Sequence, residues 1–153
     1  MDIKIRLAEE ADYESVENIM KQVHKLHVDW RPDVYKTCET VLPFEVFQNT
    51  VCEKKFLVAV ADNKVVGLLF YIIRHIEASN QVTRDVLFID SMAVEETYRG
   101  QGIGHKLFDF VKNIVKEKKY DGLELQVNAK NIRAKQMYEK YGFLEKSINM
   151  ELR

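Results

Sequence analysis

Between residues 90 and 111 the chain reads DSMAVEETYRGQGIGHKLFDFV, and the glycines in its middle, Gly100, Gly102 and Gly104, limit the fold more than any other feature. An apolar run precedes them and an amphipathic run follows, which predicts a strand-to-helix turn. Glycine weakens the elements it adjoins unless bare backbone is needed there. A helix start leaves backbone N–H groups without acceptors and carries the positive end of the helix dipole. This turn is therefore suited to an anion lying against the main chain.

The other elements can be read around that turn. Residues 3–8 alternate and predict a first strand, and Val16, Ile19, Met20, Val23 and Leu26 form the apolar stripe of a helix that Pro32 stops. A second short helix is expected near Phe44 to Cys52. Asp62-Asn63-Lys64 separates two β-rich runs as a hairpin would, and a further strand, DVLFIDSMAV, follows the polar turn ASNQVTR. Ile103, Leu107, Phe110, Val111 and Ile114 recur at helical spacing up to about Lys118, and GLELQV reads as a strand. Ala134, Met137, Tyr138 and Tyr141 then share a helical face that ends at Gly142, and residues 142–153 are expected to close the chain as one or two strands. The fold class is mixed α/β (α+β): a central mixed sheet of six to seven strands flanked by about four helices.

With 153 residues, 46% of them apolar, residues 1–153 are expected to form a single domain without disulfide or metal staples. The 23 basic and 24 acidic residues leave a net charge of -1, which argues against nucleic acid or an anionic membrane surface as partner. No signal peptide and no apolar run approaching ~20 residues is found, so a soluble cytoplasmic protein is expected. Cys38 and Cys52 lack metal-site spacing and read as ordinary small hydrophobes, and no metal site is predicted. His24 and His27 have a metal pair's spacing but no third ligand.

With no global positive field, the glycine turn must hold its anion locally. The P-loop pattern fails, because no lysine followed by Ser or Thr closes the turn. The dinucleotide pattern GxGxxG fails as well: its third glycine would fall at His105, and Glu124 lies mid-strand instead of at a strand end. The pattern [Q/R]-x-x-G-x-[G/A] is met at every position by Arg99-Gly100-Gln101-Gly102-Ile103-Gly104. With LQVNAKNIRAKQMYEKYGF downstream, this sequence resembles the GCN5-related N-acetyltransferase (GNAT) family over most of its length.

That resemblance implies an acetyl-CoA-dependent N-acetyltransferase, acting by direct attack of a primary amine from a small molecule or peptide. The backbone of Arg99, Gly100, Gln101, Gly102, Ile103 and Gly104, with His105 after it, would hold the coenzyme A pyrophosphate. Met92, Ala93 and Val94 would offer backbone groups to the pantetheine arm, the N–H of Met92 facing the thioester carbonyl, where a fixed donor stabilises developing negative charge. Tyr138 would be the general acid for the departing thiolate, although it also lies on an apolar stripe. Asn131 matches a coenzyme-contacting position and equally suits a helix N-cap.

Asp90 is the candidate base. Its expected phase with Phe88, Met92 and Val94 would bury it and raise its pKa, the bland alternative being an ion pair with Arg74. Glu124 is a weaker alternative, and Gln126 stands where family members that acetylate protein N-termini often carry a glutamate. His27, Trp30 and Tyr35 are weak candidates for the acceptor pocket. A homodimer is implied by resemblance only. Two other functions stay open: a catalytically weak CoA-binding sensor or interaction module of the same fold, and an NAD(P)-dependent oxidoreductase.

Overall fold

A computed structural model describes residues 1–153. Five strands form one sheet in the order β1-β2-β3-β4-β5, made of β1 (Ile3–Leu7), β2 (Phe56–Ala61), β3 (Lys64–Ala78), β4 (Gln81–Val94) and β5 (Gly122–Leu125). The first four pair antiparallel and β5 joins β4 parallel, so a crossover is required before β5. Helix α3 (Ile103–Lys118) makes it. The remaining helices are α1 (Tyr13–Trp30), α2 (Phe44–Cys52) and α4 (Ile132–Tyr141).

The sheet is covered on both faces. In β2, Leu57, Ala59 and Ala61 join the core beneath α3, with Leu107, Phe108 and Val111, while Phe56 and Val58 join the core beneath α1 and α2, with Val16, Ile19 and Phe47. Phe108, Leu107 and Phe47 are fully buried, each worth about 2 kcal/mol in area removed from water. The β2–β3 hairpin turns at Asp62 and Asn63, whose φ angles of 52° and 59° match the left-handed pair of a type I′ turn.

Three expectations need correction. The sheet has five strands, not six to seven, because residues 143–153 form no strand. The β3–β4 connection is the tight turn at 79–80 instead of the longer polar stretch, so β4 begins at Gln81. Cys38 and Cys52 are exposed instead of packed as small hydrophobes. No helix is long and apolar enough to cross a membrane.

One irregularity shapes the centre of the sheet. Tyr71 is opposite Ile89 and Phe70 opposite Ser91, so Asp90 has no partner on β3 and forms a bulge. Pairing between β4 and β5 stops at Ile89 and Leu125, immediately before that bulge. From Asp90 onward β4 runs with its second edge open, which leaves a gap, the wedge, beyond the end of β5.

Candidate functional site

The wedge has a polar lining made of main chain. The N–H of Glu95 donates to the carbonyl of Val66 on β3 at 2.8 Å. Backbone direction alternates along an antiparallel strand, so Ala93 and Ser91 also face β3 while Met92 and Val94 turn their N–H and C=O groups to the open edge. Val94 bears this out, since its carbonyl accepts from Arg99 Nε at 3.0 Å across that edge. The extra residue at Asp90 also resets the side-chain phase. Phe88 faces away from the α3 core, whereas Met92 and Val94 pack on that core and Ala93 on the opposite one.

Beyond β4 the chain makes a 3-10 turn and reaches the glycines. Gly100 and Gly102 have φ angles of 79° and 83°, in the left-handed region, and nothing lies within 4 Å of where a Cβ would stand. Any side chain there would be strained and would project into the space in front of the turn. The first helix-closing bond is from Lys106 N–H to the Gly102 carbonyl, at 3.2 Å. From Gly100 to His105, then, no backbone N–H meets an acceptor within the chain. This run of donors at the positive end of α3 is where an anion with several oxygens fits. Gly104 serves another end: a Cβ on it would lie 3.2 Å from Met137 Sδ and 3.5 Å from Met92 Cε. Its bareness lets β4, α3 and α4 converge.

Tyr138 follows Met137 on α4 and packs against the α3 core. Its ring packs edge-on against Phe108 at 5.7 Å, and its hydroxyl makes no hydrogen bond within the chain. Burial pushes its pKa above the usual 10, so the hydroxyl keeps its proton at neutral pH. Asn131 caps α4, its side-chain oxygen accepting from Ala134 N–H at 3.2 Å. The His105 ring packs against Tyr141 at 5.3 Å. An open cavity of about 620 Å³ at the far end of α3, lined by Lys112, Lys116, Lys119 and Tyr120, contains none of the sequence-predicted site residues.

For the proton acceptors, the structure changes the picture. Asp90 is exposed, not buried, because the bulge turns it out of the core. It pairs with no cation. The Arg74 guanidinium lies instead over the Phe88 ring, 3.5 Å from its centroid. The carboxylate of Glu124 is engaged by Lys146 at 2.6 Å and Arg84 at 3.8 Å.

His27, Trp30 and Tyr35 do come together, with ring centroids 5.4 Å apart for His27 and Trp30 and 5.1 Å for His27 and Tyr35. The His27 Nδ1 is buried without a partner, and burial followed by the nearby His24 lowers its pKa, so the ring is neutral at pH 7. The loop that follows these rings is tied back to α1 by residues that sequence reasoning missed. Buried Glu17 accepts from the N–H groups of Val41 and Leu42, at 3.1 and 2.9 Å, and Tyr13 donates to the Leu42 carbonyl at 2.7 Å. A carboxylate beside Val16 on the buried face of α1 was the available signal. Gly67 was also missed; a Cβ on it would stand 3.1 Å from Ile103 Cγ2, so it seats the start of α3 on the sheet. An isolated glycine inside the run VVGLLF marks such a close approach.

Known proteins resemble this chain in fold or in sequence. A point mutant of the BH1408 protein from Bacillus halodurans is 32% identical, with a TM-score of 0.91 and 98% of each chain covered. The aminoglycoside acetyltransferase AAC(6')-Iy, in complex with the bisubstrate analogue CoA-S-monomethyl-acetylneamine, is 18% identical with a TM-score of 0.75, over 100% of this chain and 98% of that one, a likeness of fold. Streptothricin acetyltransferase of Escherichia coli is 30% identical over 71 residues, which are 46% of this chain and 41% of that protein. The match thus spans less than half of that relative's length. The model of the acetyltransferase (GNAT) family matches residues 20–143, most of the chain. The chain belongs to the acetyltransferase (GNAT) family.

Proposed function

We propose that this chain transfers an acetyl group from acetyl-CoA to a primary amine of a small molecule or peptide, by direct attack of the amine on the thioester. The run of unpaired backbone donors from Gly100 to His105, beside the open edge of β4, is the observation that carries the reading. It supplies two things the reaction needs on one chain: a cradle for a pyrophosphate and an edge for an extended amide-bearing arm. Acetyl-CoA brings the activated thioester, and the chain's part is to position it and manage charge and protons.

As the C–N bond forms, negative charge grows on the thioester oxygen. The Met92 N–H, turned to the open edge, is the donor assigned to it. As the C–S bond breaks, the sulfur gains a proton, which the Tyr138 hydroxyl supplies. Its raised pKa and free hydroxyl support that role. The amine loses a proton, and Asp90 is the acceptor we favour, directly or through water, because Glu124 is held in ion pairs. The free amide nitrogen of Asn131 remains for the coenzyme.

Two of the relatives are named for acetyl transfer to small molecules, streptothricin and an aminoglycoside. We place such an acceptor against His27, Trp30 and Tyr35, whose faces suit a cationic amine. The same reading includes a homodimer, on the strength of the family resemblance.

Thiol release from acetyl-CoA across a panel of aminoglycosides, polyamines and peptides tests the activity. Background rates throughout, with CoA still bound in calorimetry, would replace it with the CoA-binding module. Tyr138→Phe should lower kcat about 10- to 100-fold and leave CoA affinity nearly unchanged. In the active wild type the alkaline fall of kcat should lie above pH 10, since the folded pKa is raised. An unchanged kcat in the variant removes Tyr138 from the mechanism.

A further inference from the structure

On one face of the sheet the covered core stops partway along the strands. The core under α1 and α2 takes Leu68 and Phe70 from β3, Ala93 from β4 and nothing from β5. Past Phe70 the same face continues through Ile72 and Arg74, which lie opposite Phe88 and Val86 on β4, with Glu124 beside Phe88 on β5. None of these residues joins that core. Arg74 is exposed, and its guanidinium lies 3.5 Å from the centroid of the buried Phe88 ring. Contact at this distance occupies a flat side of the guanidinium and leaves its in-plane N–H groups free. No carboxylate or carbonyl of the chain takes them up. The other cations of this face are engaged, since Arg84 and Lys146 both lie on Glu124, at 3.8 and 2.6 Å. Arg74 is the uncommitted one.

We propose that Arg74 selects the acceptor by seating a carboxylate on the same molecule whose primary amine is acetylated beside Asp90. The inference rests on the acetyl transfer proposed above and names the acceptor class of that site: an amine spaced from a carboxylate as in an ω-amino acid. Asp90 follows Phe88 by two residues at the edge where β5 pairing has ended. A strand rises about 3.3 Å per residue, so roughly 7 Å of β4 separates the guanidinium over Phe88 from the bulge, about the length of a five-methylene chain. A guanidinium fork matches a carboxylate with two parallel hydrogen bonds. One free cation suits a monoanion, whereas a phosphate would call on Arg84 and Lys146, which Glu124 already holds. An acceptor with only cationic groups gives Arg74 nothing to bind and meets its charge instead. The transfer itself is unchanged: the acetyl carbon leaves sulfur for the amine nitrogen, and the proton the amine loses balances the one the sulfur gains.

Thiol release from acetyl-CoA is compared for 6-aminohexanoate, hexylamine, 1,6-diaminohexane and 6-aminohexyl phosphate. The wild type should favour 6-aminohexanoate over both uncarboxylated amines by about tenfold in kcat/KM. Arg74→Met keeps an apolar cover on Phe88 and removes the charge; it should erase that preference, by a rise in KM for 6-aminohexanoate and not by a fall in kcat. Arg74→Lys should restore part of it, as a point charge without the fork. Absence of a preference in the wild type, an equal fractional loss for carboxylated and uncarboxylated amines in Arg74→Met, or a stronger preference for the phosphate overturns the proposal. Calorimetry of 6-aminohexanoate on the protein saturated with CoA keeps the two readings apart. Binding that requires Arg74, in a protein that acetylates no amine, leaves the carboxylate seat standing and sinks the transfer. Acetylation of amines with no binding advantage for the carboxylate does the reverse.

Discussion

Arg6 on β1 grips Asp12 through both guanidinium nitrogens, at 2.8 and 2.9 Å, and the same carboxylate accepts the N–H of Glu9 at 2.8 Å. Asp12 is only 8% exposed. Burial alone would raise its pKa, but the Arg6 hydrogen bonds, the Glu9 N–H and the Arg6 charge outweigh burial and hold it below its usual 3.8. A carboxylate with a depressed folded pKa stabilises the fold above its unfolded pKa and ceases to do so as pH falls through the folded value. Asp12→Asn should therefore lose about 2 kcal/mol at pH 7, with the gap to wild type in urea melts closing below pH 4. A gap that is constant with pH would mean that the pair is only decorative. Local backbone was legible where a pattern fixed it, as in the bare turn at Gly100 and Gly102 and the helix cap at Asn131. Asp90 shows the limit: parity along β4 was sound, but a bulge moves every later side chain by one step, and nothing local in FIDSMA announces it.

At the scale of elements, helices and hairpins were readable because their faces repeat. Phe44–Cys52 and Ile132–Tyr141 stand where the apolar spacing and the closing glycine put them. The terminal strand was not readable in the same way. The alternation of Leu144, Ile148, Met150 and Leu152 is that of a strand, but a strand is defined by its neighbour, and within one chain there is none. The seat of α3 is a second relation between elements. Gly67→Val would press its side chain on Ile103 Cγ2, the Ala59 Cβ and the Ala93 carbonyl, which lie 3.1, 3.3 and 3.4 Å from a Cβ at that position. It should destabilise by about 2 kcal/mol and weaken CoA binding at least tenfold by lifting the start of α3. Weakened stability with unchanged CoA affinity would separate the cradle from its seat.

The whole molecule is one sheet packed on two faces. One holds α1 and α2 with the ring cluster of His27, Trp30 and Tyr35; the other holds α3, α4 and β5 with the glycine turn. The pairing of β4 with β5 ends just before Asp90, so the opening beside β4 coincides with one inserted residue. Removing Asp90 altogether would leave Ile89 opposite Tyr71 and Ser91 opposite Phe70, and Met92 and Val94 would still face α3. The register loses nothing. What goes is the bend, and β5 could then continue alongside β4. The loss of this one codon should thus yield a chain that folds, melts within a few degrees of the wild type and no longer binds CoA, whereas Asp90→Ala keeps binding. In the currency of heredity, the opening on which the proposed chemistry depends is a frame-preserving insertion three nucleotides long, and a reading confined to substitutions would never find it.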